Sequence, residues 1–325
     1  MSGCPPRSEP AARGRPGAAP RAGAARALAV LACALVAGVL LAGSRAGSAE
    51  AGGQPERVVS VNLCTDQLAL MVAAPGQLVS VSRLGQDPRS SAMAAAARRL
   101  PANSGLAEEV FLHRPDLVLA SSFTSRATVS MLRRLGVTVV ELPPAQALAD
   151  VPDRLRRVGA ALGREAAAAA AVARYEADLA ALRAELAERP RAALYYANGY
   201  TRGDRTLAGD IIAAAGFANI AAELGLARGG HLALEQLVMA APDLVVTGRP
   251  HRGPARAESL LGHPALAALD GGREAATDRD WICGTPHVLR AVRRMATLRQ
   301  AVGPAREPAN KGAAAPARRE GPAGR

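Results

Sequence analysis

Glu108-Glu109-Val110-Phe111-Leu112-His113-Arg114-Pro115-Asp116-Leu117-Val118-Leu119 recurs as Glu235-Gln236-Leu237-Val238-Met239-Ala240-Ala241-Pro242-Asp243-Leu244-Val245-Val246, at a constant offset of 127 residues. In each copy a short helix with one apolar face is halted at Pro-Asp, because proline cannot continue a helix, and a buried β-run follows. One such segment is common in α/β proteins. Two, in matching places, imply two lobes built alike.

Around the first copy, Val58–Val61, Leu78–Val81, Leu117–Ala120 and Val137–Val140 read as strands, interleaved with helical patterns at Asp66–Ala73 and Thr128–Leu135. Around the second, Ala192–Tyr196 and Leu244–Thr247 read as strands, Asp210–Ala215 as a helix, and Pro286 suits the first turn of a last helix running to Val302. This alternation predicts an α/β fold, two lobes each with a mainly parallel sheet flanked by helices. Between them, Val172, Tyr175, Leu179, Leu182 and Leu186 form one apolar stripe, and Arg164–Glu188 contains neither Gly nor Pro. A single long helix joining the lobes is the expectation, about 37 Å over that span. The resulting organisation is residues 1–49 as leader, 50–148 as the N-terminal lobe, 149–190 as the linking helix, 191–302 as the C-terminal lobe, and 303–325 as a disordered tail.

The chain has 325 residues and a net charge of +12, with Met1–Ala49 holding +5 and Gly303–Arg325 holding +3, which leaves +4 for the part between. Nearly all the bases are Arg, and eight aromatic residues are scattered along the chain, too few and too dispersed to form the stacking platforms of single-strand nucleic-acid binders. Arg21 and Arg26 precede the uncharged run Ala27–Ala42, which at sixteen residues is short for a membrane span, and Ala46-Gly47-Ser48-Ala49 follows it. These are the three regions of a secretory signal, with cleavage expected after Ala49. The exported chain keeps Cys64 and Cys283. An oxidising compartment permits a bridge between them, and two free thiols fit the sequence as well.

With its opening Arg57-Val58-Val59-Ser60, its two Glu-to-Pro-Asp segments and Leu261-Gly262-His263-Pro264-Ala265-Leu266 leading to Trp281, the chain resembles the periplasmic binding proteins of ABC importers. That family takes up iron-siderophores, haem or cobalamin. The resemblance implies a ligand held in a cleft between two lobes, a location in the periplasm, a monomer, and delivery to a membrane permease and, through it, to an ATPase. It also implies that Glu108 and Glu235, seven residues before each proline, pair with permease arginines. Loops after strand ends supply the candidate ligand residues: Asn62, Cys64, Arg83 and Phe123 from the first lobe, and Tyr200, Arg202, Arg249, His251 and Trp281 from the second. Of the adjacent pair Tyr195 and Tyr196, alternation sends one into the core. The expected order of ligands is a ferric siderophore, then cobalamin, then haem.

Two other functions compete with this one. A binder of bare transition metal needs converging His and carboxylate ligands, and the five histidines, at 113, 231, 251, 263 and 287, show no close ligand spacing. A secreted hydrolase or metalloenzyme needs a catalytic constellation, and the chain holds no Gly-x-Ser-x-Gly elbow, His-Glu-x-x-His or phosphate loop. No catalytic residue and no resident metal are expected.

Overall fold

The computed structural model describes residues 54–183, 186–249, 253, 255–270 and 275–302. The expected leader with its cleavage site, the expected tail and His251 lie outside them. Five strands form the first sheet: β1 (Val58–Ser60), β2 (Leu78–Ser82), β3 (Ala102–Asn103), β4 (Leu117–Ser121) and β5 (Thr138–Leu142), all parallel, in the order β3-β2-β1-β4-β5. In the second half β6 (Arg191–Tyr195) is followed by β7 (Tyr200–Thr201), β8 (Ala218–Asn219), β9 (Gly230–His231), β10 (Leu244–Thr247) and β11 (Ala275–Ala276). Four of these make a second parallel sheet, β11-β10-β6-β8, and β7 and β9 pair as a small antiparallel ribbon. The fold is therefore α/β, with two parallel sheets flanked by helices.

The repeat seen in sequence holds in space. β4 lies beside β1 and β10 beside β6, so the two copies occupy the same place in their sheets. Arg114 and Ala241, the residues before the two prolines, both take left-handed backbone, with φ of 48° and 44°. Each following aspartate then turns back to the leading strand: Asp116 accepts from the backbone N–H of Glu56 (2.7 Å) and Arg57 (3.1 Å), and Asp243 from that of Arg191 (2.7 Å). Arg57 and Arg191 reciprocate, donating to the helix-end carbonyls of His113 (2.8 Å) and Ala240 (2.6 Å). Each helix end is thus tied to a strand by a carboxylate in one direction and a guanidinium in the other.

Side chains alternate along the strands, as a sheet covered on both faces requires. Val58, Leu117 and Leu119 join Ala192, Leu194, Leu244 and Val246 in one continuous core, while Val59 and Val118 on one sheet, and Ala193, Tyr195 and Val245 on the other, face separate small cores. The continuous core passes through the connection between the sheets. That connection differs from the expected single helix. It holds two helices, α1 (Asp150–Leu162) and α2 (Glu165–Leu182), broken at Gly163, whose φ of +63° closes the first. Backbone at Arg183 is extended, so α2 stops short of Glu188 and Leu186 falls beyond the helix that carries the rest of its stripe.

Arg154 of α1 is buried and spans the two halves, donating to the carbonyls of Pro143 and Gly284. Cys64 and Cys283 are joined in a disulfide across a sequence separation of 219, with their Cα atoms 5.2 Å apart. Close by in the first half, Asp66 is fully buried and accepts from the backbone N–H (3.1 Å) and the hydroxyl of Ser82. Burial pushes its carboxyl up to about 7, against the lowering effect of the hydroxyls of Ser82 and Ser60.

Two stability measurements check these assignments. Asp243→Ala removes a buried acceptor from the start of β6 and should cost about 2 kcal/mol in urea unfolding, more than Asp116→Ala, whose residue is exposed. The folded state holds the Asp66 proton to a higher pH than the unfolded chain does. Its stabilisation is therefore full below about pH 4 and lost as the pH rises through about 7. Asp66→Asn should flatten that slope and be more stable than the parent at about pH 8, by on the order of 1–2 kcal/mol.

Candidate functional site

In an open parallel sheet, ligands settle outside the carboxyl ends of the strands where the strand order reverses. In the first sheet the reversal lies between β1 and β4, and in the second between β6 and β10. A cavity of about 500 Å³ is bounded by loops that leave these strands and their neighbours. Phe123, Pro144, Ala145 and Gln146 come from the first half; Tyr196, Tyr200, Arg202, Thr206, Asp278, Trp281 and Ile282 are among those from the second.

Local chemistry sets each wall. After β4, the Ser121 backbone N–H donates to the Thr124 hydroxyl (3.1 Å) and the Phe123 N–H to the Ser121 hydroxyl (3.2 Å), a tight turn that leaves the Phe123 ring 78% exposed. After β6, Asn198 and Gly199 take positive φ, 56° and 67°, and a Cβ on Gly199 would meet the Leu232 carbonyl at 2.9 Å. This turn feeds β7, whose Tyr200 stands opposite His231 of β9 and whose ring lies 5.1 Å from the Arg202 guanidinium. Tyr195 is buried and Tyr196 lines the cavity, where burial pushes its hydroxyl up to about 12. Here strand alternation alone separates core from site.

Trp281 is 7% exposed and serves both roles, packing on the continuous core while closing one side of the cavity. The turn that carries it is pinned to the last helix, α3 (Val288–Val302). Arg290 and Arg294 bind Asp280 at 2.7 and 2.9 Å, and Arg294 also binds Asp278 at 2.8 Å. Burial works to raise the Asp280 carboxyl, but these two arginines outweigh it and hold the group below the usual carboxylate range. At the joint between the walls, a Cβ on Gly284 would lie 2.1 Å from that of Ala145, so only glycine permits this approach.

Of the residues expected at the site, Phe123, Tyr200, Arg202 and Trp281 line the cavity. Arg249 stands beside it, 3.9 Å from Asp278. The other three are placed differently. The Asn62 side chain accepts the Cys64 N–H (2.9 Å) and caps the helix Leu63–Val72, the Cys64 sulfur is in the disulfide, and Arg83 is exposed at the start of the short helix Arg83–Gln86. Sequence reading passed over Pro144–Gln146, Thr206–Ala208 and Thr277–Asp278 because they carry no motif. Glu108 and Glu235 are both exposed, each in the first turn of its helix, Ala107–Leu112 and Leu234–Ala240. Among the described residues no three His, Cys, Asp or Glu side chains gather as a metal set, and no helix is long and apolar enough to cross a membrane.

The family described as periplasmic binding protein matches residues 58–275. A cobalamin-binding protein of Halobacterium salinarum is 33% identical over 201 residues, 60% of this chain and 54% of the relative, so the chain spans about half the length of that curated protein. Among solved structures, the periplasmic haem-binding protein RhuT from Roseiflexus sp. RS-1 superposes with a TM-score of 0.60 at 22% identity, covering 76% of this chain and 97% of RhuT. The periplasmic vitamin B12 binding protein BtuF of Vibrio cholerae gives 0.57 at 20%, covering 77% and 98%. At these identities the two structures speak for the fold alone. Together with the sheet order and the cleft, the sequence match over most of the described residues means that the chain belongs to the periplasmic binding protein family, a family of binders and not of enzymes.

Proposed function

We propose that the chain is the solute-binding component of an ABC importer, exported with loss of its leader, and that it captures a cobalamin-like corrinoid between its two sheets. The observation that carries this reading is the charge balance of the cleft. Among the described lining residues the charged side chains are Arg202 and Asp278, the latter also met by Arg294, and they stand beside Phe123, Tyr196, Trp281 and Ile282 with Gln146, Thr206 and Thr277, so the walls mix apolar and neutral polar groups and offer few free charges. An anionic ferric siderophore asks for several unpaired arginines, and the propionates of haem ask for two. A corrinoid presents a broad apolar face fringed by neutral amides, which suits such walls better. The cobalamin-binding relative supports the same choice and lowers the ferric siderophore from first place. The ligand seats one face in the cavity and leaves the rest at the mouth. A permease then docks on the exposed carboxylates Glu108 and Glu235, and the chain works as a monomer.

Quenching of Trp281, the single tryptophan, reads binding directly. Titrated with cyanocobalamin, haemin and a ferric hydroxamate, the protein should bind cyanocobalamin tightest, with calorimetry in parallel. Phe123→Ala should weaken that binding about tenfold, close to 1.4 kcal/mol, without moving the thermal midpoint, because the ring is exposed. Tighter binding of haemin or of the siderophore would overturn the corrinoid assignment.

A further inference from the structure

Two of the most exposed apolar side chains in the described structure are Leu112, at 80%, and Met239, at 84%. They are one residue seen twice, since 239 is 112 displaced by the repeat offset of 127. Their neighbours repeat the pattern, with Phe111 at 42% and Val238 at 40%. A solvated leucine on its own calls for no explanation. The same exposed apolar pair on both helices, at matching positions, is a different observation, because no packing demand inside either half requires it.

Position on the helix adds chemistry. Leu112 follows Glu108 by four residues and Met239 follows Glu235 by four, so each acid shares a helix face with its apolar partner, and Phe111 and Val238 flank that face three residues on. Both helices end in the same fixed way, with left-handed backbone before proline and a guanidinium, from Arg57 or Arg191, on the last carbonyls. Little ordering entropy then remains to be lost when these helix ends are bound.

We infer that Leu112 and Met239 are paired apolar anchors that seat in two like sockets of the permease, each socket rimmed by the basic groups that receive Glu108 or Glu235. The inference rests on the docking reading above and extends it. The partner is a membrane protein of two similar halves, each offering an apolar pocket beside a cation. The carboxylates set orientation and approach, and the buried Leu and Met set the lifetime of the complex.

Binding of the full chain to its permease–ATPase complex in nanodiscs, measured over a range of salt concentrations, tests this. Leu112→Ser with Met239→Ser should raise the dissociation constant about thirtyfold through faster dissociation, leave the salt dependence as in the parent, and leave the thermal midpoint and cyanocobalamin affinity unchanged. Each single change should give a similar share of the loss. Glu108→Gln with Glu235→Gln should weaken binding and flatten the salt dependence. If the apolar pair binds within about twofold of the parent while the Gln pair is impaired, the anchors are refuted and docking by carboxylates stands. If neither pair has an effect, the docking surface itself lies elsewhere.

Discussion

One core serves both sheets, and the rest of the molecule follows from that. Strand alternation sends Leu117 and Leu119 of one sheet, and Leu244 and Val246 of the other, into the same continuous set of buried side chains, through Val151, Leu155, Val158 and Leu162 of α1 and Tyr175 and Leu179 of α2. Apolar burial contributes roughly 25 cal/mol per Å² removed from water, so any wide opening of one sheet against the other would expose part of this core at considerable cost. The joint is reinforced where it meets the cleft. Arg154 holds the carbonyls of Pro143, next to the lining residue Pro144, and Gly284, two residues from the lining residue Ile282, and the Cys64–Cys283 disulfide joins the same two halves. The cleft is accordingly braced on the side where its two walls meet.

Much of the fold was legible because its signals are local and repeated. The two Pro-Asp segments located β4 and β10, and runs such as Leu78–Val81 marked strands within a residue or so. What escaped has physical causes. β3, β8 and β11 are two-residue edge strands, too short to carry a period of two. The break between α1 and α2 depends on Gly163 taking a left-handed conformation, and the far end of α2 on an extended Arg183, neither of which a search for glycine and proline between Arg164 and Glu188 detects. At the site, reading loops after strand ends named Phe123, Tyr200, Arg202 and Trp281, which line the cavity. It also admitted Asn62, whose side chain is consumed by a helix cap.

Arginine misled for a related reason. The chain uses it wherever a cation is wanted, and many of these cations are already committed inside the fold. Arg57 and Arg191 close helix ends, Arg154 joins the halves, and Arg290 and Arg294 hold the turn bearing Trp281. The net charge of +12 therefore describes the ends of the chain and its internal fastenings better than it describes a ligand. Among the described lining residues a single arginine, Arg202, remains, and it lies over the Tyr200 ring.

The duplication has been kept in one place and abandoned in another. On the two repeated helices, Glu108 and Glu235, Phe111 and Val238, Leu112 and Met239, and Arg114 and Ala241 preserve chemistry, exposure or backbone conformation across the offset of 127. At the strand ends the same offset sets Ser122 against Arg249, and the first lobe offers Phe123 from a serine-threonine turn while the second offers Tyr200 and Arg202 from a ribbon that the first lacks. A symmetric surface is useful against a partner made of two like halves, and an asymmetric one against a small molecule with different edges. On the proposed function, this contrast between the two faces matches what each would have to meet.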